Sequence, residues 1–179
     1  MVIDCIDMTD PVVSSSTRAW LSQQNVVSTQ LQFYGMSNGV AALVQAISGV
    51  ATTGTIDVLR IWGHGHPGSQ NVSAGKDDGS GDGAAIDADS FLEGDLATVL
   101  APLAPLFSAS ARAELRGCNV GEGGAGSALL LDLADLWHVP VYGGDVLQYA
   151  SGGWKPPVSC GNPGGGLAST NGPDLNGNF

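Results

Sequence analysis

Positive charge and cysteine are what this chain has least of. Its 179 residues include only six Lys and Arg against 17 Asp and Glu, a formal net charge of −11. Nucleic acids and anionic membranes are bound through clustered Lys and Arg, so this balance argues against both as partners. Secretion, a salty habitat and attraction to basic substrates would each account for the acidity.

The three cysteines, Cys5, Cys118 and Cys160, are too few and too scattered for a disulfide framework or a zinc knuckle. No run of 18 or more apolar residues is present, which argues against a membrane span. The first residues have neither the basic region nor the long apolar core of a signal peptide. A cytoplasmic location and export without a recognisable signal peptide both fit these observations.

The chain does contain enough apolar residues, 43%, to bury a core. Apolar runs predict strands at 2–6, 26–34, 56–62, 111–117 and 139–142. Helical periodicity predicts helices at 14–24, 38–48 and 127–137, and one that begins at Asp89 and ends near Pro102 or Pro105. This alternation predicts an α/β fold, a three-layer sandwich with a mainly parallel central sheet. We place that domain at residues 1–150 and expect an irregular tail, rich in Gly, Pro and Asn, at residues 151–179, packed on the domain or trailing from it.

Two of the predicted strands stop at a reactive side chain flanked by glycine. The strand at 56–62 is followed by Gly63-His64-Gly65-His66, and the strand at 111–117 ends at Gly117-Cys118-Asn119. Parallel strands bring such residues together at one rim of a sheet, where ligands bind. A Cys and a His placed side by side there are sufficient for thiol-based covalent catalysis.

The order of these motifs resembles the caspase-like cysteine peptidases, a group that includes caspases, metacaspases, clostripain, gingipains and separase. The similarity is closest to bacterial caspase-like domains, which carry a Ser-His-Gly-x-Pro-Gly type of segment and a later Gly-Cys-Asn. The matching segments here are Gly63-His64-Gly65-His66-Pro67-Gly68 and Arg116-Gly117-Cys118-Asn119-Val120. The likeness covers roughly Ile56 to Tyr142.

The resemblance implies a cysteine endopeptidase that cleaves a protein or peptide substrate through an acyl-enzyme and requires no cofactor. It implies His64 as the general acid/base, Cys118 as the nucleophile, and the amides of Gly65 and Cys118 as the oxyanion site. It also implies that Arg116, two residues before the nucleophile, lines the substrate pocket. An Arg there would suit an acidic side chain, whereas the overall negative charge would repel one, and Arg116 fits equally well as a solvated cation at a strand edge. Oligomeric state is left open.

Two other functions fit the same residues. A catalytically silent caspase-like module would serve as a binding or scaffold domain. Alternatively, His64 and His66 would share one face of a continuing strand, and a His-x-His pair with Cys118 as a third ligand would make a metal-dependent hydrolase. The turn-forming Pro67-Gly68 after His66 favours His64 as the catalytic base.

The segment from Gly68 to Gly83 is rich in Gly, Ser and Asp and predicts a mobile surface loop. Oxygen donors occur at every second residue in Asp78-Gly79-Ser80-Gly81-Asp82, as in calcium loops, and Asp89 stands at the twelfth position where such a loop carries Glu. Asp78, Ser80, Asp82 and Asp89 are therefore candidate calcium ligands, with a plain solvated loop as the alternative. An exposed loop of this composition is also a candidate site of autoprocessing.

Overall fold

The computed structural model describes residues 1–24, 27–74, 83–92, 95–149 and 152–173. The helices in these ranges are α1 (Pro11–Gln23), α2 (Gly39–Val50), α3 (Ala88–Leu92), α4 (Asp95–Leu100), a 3₁₀ helix (Ala101–Leu106) and α5 (Gly123–Trp137). The strands are β1 (Val2–Asp7), β2 (Thr29–Phe33), β3 (Ile56–Trp62), β4 (Gly65–His66), β5 (Ser69–Asn71), β6 (Ala85–Asp87), β7 (Phe107–Leu115), β8 (Val141–Gly144), β9 (Val158–Asn162) and β10 (Gly166–Thr170).

Seven of these strands form the central sheet, in the order β10-β9-β8-β7-β3-β1-β2. The five strands from β2 to β8 in this order are parallel, whereas β9 and β10 are antiparallel to their neighbours. A small second sheet has the order β4-β5-β6. The prediction of an α/β fold with a mainly parallel sheet is therefore confirmed. None of the helices described is both long and apolar enough to span a bilayer.

Several of the predicted elements differ from the observed ones. Helix α1 begins three residues earlier than expected, because the Asp10 side chain accepts hydrogen bonds from the N–H groups of Val12 and Val13 and so caps the helix there. The single helix predicted from Asp89 to near Pro102 or Pro105 is instead α3, α4 and the 3₁₀ helix, which contains Pro105. Proline cannot donate the hydrogen bond that would continue an α-helix.

A further difference is the C-terminal segment, where the expectation of an irregular tail from Ser151 is corrected. Strands β9 and β10 form a hairpin that extends the central sheet beyond β8. The glycines and prolines that suggested irregular structure lie largely in the connections around these strands. The prediction of a surface loop from Gly68 also fails at its start, because residues 69–73 are buried and include β5.

The main hydrophobic core lies on one face of the sheet. Alternate residues of β1, β3 and β7, such as Ile3, Leu59 and Ala113, are in register with one another and fully buried. They pack with the apolar faces of α2 and α5, represented by Leu43 and Leu133. The period of two along each strand is what delivers these side chains to a single face.

The opposite face carries a buried row of charges. Asp4, Arg60 and Glu114 occupy the same register position on β1, β3 and β7, and each is at most 1% exposed. Arg60 forms two hydrogen bonds with Asp4, at 2.7 and 3.0 Å, and the Trp62 indole N–H donates to the same carboxylate. Glu114 accepts from Arg112 and Arg116. Helix α1 covers part of this face through Leu21, which packs with Ile6 and Trp62.

We expect Asp4→Asn to lower the free energy of unfolding by about 3–5 kcal/mol, because it leaves the buried Arg60 guanidinium without its counter-charge. Urea denaturation followed by circular dichroism would measure this change. Asp95 is exposed in α4, and Asp95→Asn removes a charge of the same sign from the surface. This control should lower the free energy of unfolding by less than about 1 kcal/mol. Equal effects of the two substitutions would show that the charge row does not stabilise the sheet.

Candidate active site

Three polar side chains follow the carboxyl ends of three adjacent parallel strands. Asp10 comes three residues after β1, His64 two residues after β3 and Cys118 three residues after β7. The chain runs from β1 outward to β2 and from β3 outward in the other direction to β7, so the strand order reverses between β1 and β3. Ligands in open α/β sheets bind in the crevice outside the strand ends at this point of reversal.

The two glycine-flanked motifs are in direct backbone contact. A Cβ placed on Gly117 would lie 2.9 Å from both the Gly65 Cα and the His64 carbonyl oxygen, and one on Gly65 would lie 2.9 Å from the Cys118 carbonyl oxygen. Neither position therefore has room for a larger residue. The fully buried Gln70 joins the same segments, since its carboxamide oxygen accepts the Gly117 N–H at 2.8 Å.

His64 and Cys118 line one crevice of about 270 Å³. The other described residues that line it come from α1, the end of β3, the end of β7 and the segment after β8. They are Val12, Val13, Thr17, Trp62, Gly63, Arg116, Gln148 and Tyr149. The sequence prediction that His64 and Cys118 share one crevice thus agrees with their positions.

The His64 imidazole is held by Asp10. Its Nε2 lies 3.0 Å from Asp10 Oδ2, and the Asp10 side chain is 5% exposed. The hydrogen bond with His64 lowers the pKa of the Asp10 carboxyl, and hydrogen bonds from the Val12 and Val13 N–H groups lower it further. A carboxylate at this position orients the ring with Nε2 protonated, which leaves Nδ1 as the nitrogen that can accept a proton.

The Cys118 sulfur receives a hydrogen bond from the protein backbone. The Gln148 N–H lies 3.3 Å from Cys118 Sγ. A hydrogen bond donated to sulfur favours the charged thiolate over the neutral thiol, and the thiolate is the attacking species in thiol chemistry.

The Gln148 side chain fixes that N–H in place. Its carboxamide donates to the Val146 carbonyl at 2.9 Å and to the Lys155 carbonyl at 3.1 Å, and it accepts the Lys155 N–H at 2.9 Å. The two bonds with Lys155 tie the segment after β8 to the segment before β9. They hold the Gln148 backbone against the sulfur.

The two other thiols lie in different surroundings. Cys5 is buried in β1, and burial raises its pKa far above the ordinary range. Cys160 is buried in β9, where burial again raises its pKa. Cys118 is half-buried, so of the three cysteines it is the one a substrate can reach.

The expected oxyanion site consists of the backbone amides of Gly65 and Cys118. Within the described part of the chain, the Cys118 N–H donates no hydrogen bond. The Asn71 N–H donates to the His64 carbonyl at 2.9 Å, and this pairing turns the Gly65 N–H away from β5.

His66, by contrast, does not line the crevice. It lies in the β4–β5 hairpin, and its Nε2 is buried with no hydrogen-bond partner in the described ranges. Among the residues described, no three His, Cys, Asp or Glu side chains are grouped so that they could hold a metal ion. The alternative of His64, His66 and Cys118 as metal ligands therefore has no support in the geometry. Of the candidate calcium ligands, Asp78, Ser80 and Asp82 lie outside the described residues, and Asp89 is exposed in α3.

Arg116 is buried rather than solvated at a strand edge. Its guanidinium carbon lies 3.9 Å from the centre of the Trp154 ring and 4.7 Å from that of Trp62. The terminal nitrogens donate to Glu114 and to the Gly152 carbonyl. Burial lowers the pKa of Arg116 to about 10.

Asp10 and Gln148 are the functional candidates that sequence reasoning missed. An Asp immediately before Pro11 is a recognisable helix N-cap signature, and it was available in the sequence. Its contact with His64 joins residues 54 apart, which no local pattern encodes. Gln148 acts through its backbone N–H, so its residue type carries no signal of contact with sulfur.

No family model, curated protein or solved structure matches this chain.

We expect Gln148→Ala to slow the alkylation of Cys118 by iodoacetamide at neutral pH. Loss of the three carboxamide hydrogen bonds frees the loop and removes the N–H from the sulfur, so the rate of alkylation should fall by roughly the factor of ten that a lost hydrogen bond to a charged group costs. Mass spectrometry of the Cys118 peptide over a time course would measure this. The control Gln30→Ala, an exposed residue of β2, should match the parent rate. A parent-like rate for Gln148→Ala would show that the hydrogen bonds of the Gln148 side chain do not affect the reactivity of the Cys118 sulfur.

Proposed function

We propose that this chain is a caspase-like cysteine peptidase that cleaves peptide bonds through Cys118 and His64. The observation that carries the proposal is their shared position in one solvent-reachable crevice at the reversal point of a parallel sheet. The order of strands and helices and the antiparallel hairpin at the sheet edge support a caspase-like three-layer sandwich as its architecture.

The proposed reaction begins with proton transfer from the Cys118 thiol to His64 Nδ1. The thiolate attacks the peptide carbonyl carbon and forms a carbon–sulfur bond, while the carbonyl oxygen takes up negative charge. The amides of Gly65 and Cys118 donate hydrogen bonds to that oxygen. Collapse of the intermediate breaks the carbon–nitrogen bond, and His64 gives its proton to the leaving amine.

The acyl-enzyme is then hydrolysed by water. His64 takes a proton from the water as it attacks the thioester carbon, and returns that proton to the departing Cys118 sulfur. Asp10 accepts the Nε2–H throughout and stabilises the imidazolium that forms twice in the cycle, as the carboxylate does in serine protease triads.

A thiol-directed peptide electrophile tests the proposal. We expect it to modify Cys118 and not Cys5 or Cys160, because Cys5 and Cys160 are buried whereas Cys118 is half-buried and lines the same crevice as His64. His64→Ala should slow the modification at least about 100-fold, the usual range for a general base. The adduct is mapped by mass spectrometry, with and without calcium. If Asp78, Ser80, Asp82 and Asp89 bind calcium as the sequence predicts, we expect the rate of modification to differ between the two conditions.

His66→Ala is the matched control for His64→Ala and should leave the rate nearly unchanged. If His66→Ala abolishes modification and His64→Ala does not, the base assignment is wrong. If Cys118 in the folded protein reacts no faster than a free cysteine peptide, the chain is better described as a binding or scaffold module.

Asp10→Asn should lower the rate of modification at pH 7 by at least about 100-fold. The asparagine amide can donate to Nε2 and so stabilise the tautomer whose Nδ1 carries the proton, which removes the base from the reaction. Asparagine is also a good helix N-cap, so the melting temperature should change little. Asp10→Ala should lose the cap as well, at about 1 kcal/mol of stability. A parent rate in folded Asp10→Asn would exclude Asp10 from the mechanism.

A further inference from the structure

The crevice beside Cys118 is walled mainly by apolar side chains. Val13 and the buried Trp62 contribute to its lining, and Val12 and Tyr149 are 68% and 55% exposed at its mouth. Leu147, adjacent in sequence to the lining segment, is also 65% exposed. Large exposed apolar side chains grouped at a concave site mark binding surfaces.

The volume of the crevice limits what it can hold. At about 270 Å³ it is smaller than the roughly 300–1,000 Å³ of sites that enclose a whole drug-sized ligand. A space of this size fits one amino-acid side chain, with Cys118 and His64 at its edge.

The positive charge of Arg116 is already engaged by the protein. Its guanidinium lies against Trp154 and Trp62, its terminal nitrogens donate to Glu114 and the Gly152 carbonyl, and the side chain is 4% exposed. A substrate carboxylate would have to compete with Glu114 for those nitrogens. It would also lose its hydration on entering, at a cost of several kcal/mol.

A basic side chain is disfavoured for a different reason. No Asp or Glu is among the described residues that line the crevice. The carboxylates bonded to lining residues are already engaged, Asp10 with His64 and the first turn of α1, and Glu114 with Arg112 and Arg116. A lysine or arginine side chain would therefore enter beside the Arg116 cation with no counter-charge.

We propose that this crevice receives an uncharged apolar side chain, such as Leu or Phe, from the residue that precedes the cleaved bond. This assignment rests on the proposed peptidase function and names its substrate class. It departs from the acidic preference that Arg116 suggests in the sequence.

The test uses peptide electrophiles that are identical except at the residue next to the reactive carbonyl: Gly, Leu, Phe, Asp and Lys. We expect the Leu or Phe probe to modify Cys118 at least about tenfold faster than the Gly, Asp or Lys probe, the discrimination that filling an apolar pocket supplies. The fastest reaction with Asp would establish Arg116 as an anion receptor, and the fastest with Lys would show selection by the acidic surface. Either result, or equal rates for all probes, would overturn the assignment.

Variants at the mouth sharpen this result. Val12→Asp places a carboxylate in the first turn of α1, where negative charge is tolerated, and should raise the rate of the Lys probe relative to the Phe probe. Val50→Asp introduces the same charge at an exposed apolar residue of α2 that does not line the crevice, and should leave the ratio unchanged. Equal ratios in the two variants would contradict the assignment.

Non-covalent binding separates the pocket from the chemistry. In Cys118→Ala, acetyl-phenylalanine amide should shift the NMR signal of the Trp62 indole, whereas acetyl-aspartate amide and acetyl-lysine amide should not. A selective shift would support the pocket even if no probe modified the parent protein, in which case the proposed peptidase function alone would fail. No shift with acetyl-phenylalanine amide, or equal shifts with all three, would overturn the pocket.

Discussion

The register of β1, β3 and β7 is the constraint on which the rest of this structure depends. The row Asp4, Arg60 and Glu114 is buried, and a slip of one residue would move these charges into the hydrocarbon core and the core residues to the charged face. A buried charge without its partner costs several kcal/mol, so the row penalises every register but one. That register also sets where the three strands end, and therefore where Asp10, His64 and Cys118 lie. The charge row and the crevice are two consequences of one alignment.

A single carboxylate then links the sheet edge to helix α1. Asp10 Oδ1 caps the helix while Oδ2 binds His64, and at 5% exposure little water competes for either bond. The helix in turn supplies Val12, Val13 and Thr17 to the crevice. The orientation of the imidazole and the shape of the apolar wall are therefore set by the same capped turn. In the proposed peptidase, the base and the substrate pocket could not be rearranged independently.

Local patterns predicted the parts of this structure that local forces determine. Strand β3 was predicted with its observed bounds because it is buried on both faces and is apolar apart from Asp57 and Arg60. Strands β9 and β10 were missed because glycine and asparagine lower strand propensity, and only pairing with β8 makes a strand of residues 158–162. His64 and Cys118 were found because glycine flanks each of them at a strand end. The bond from Asp10 to His64 and the N–H of Gln148 on the sulfur depend on tertiary contacts.

Arg116 shows how a residue type can mislead when its surroundings are unknown. In the sequence it is a cation two residues before the proposed nucleophile. In the structure its guanidinium donates a hydrogen bond to Glu114 of the sheet and lies against the rings of Trp62 and Trp154. Arg60, Arg112 and Arg116, half of the six basic residues of the chain, are buried on the same face. Five Asp and Glu side chains are buried as well, so the net charge of the other charged residues remains strongly negative. In the proposed peptidase, such a surface would attract basic regions of a substrate at long range, an effect that salt screens, whereas the proposed apolar crevice would select a side chain by contact. Long-range attraction would then favour a basic region of the substrate outside the crevice, and direct contact would favour an apolar side chain within it.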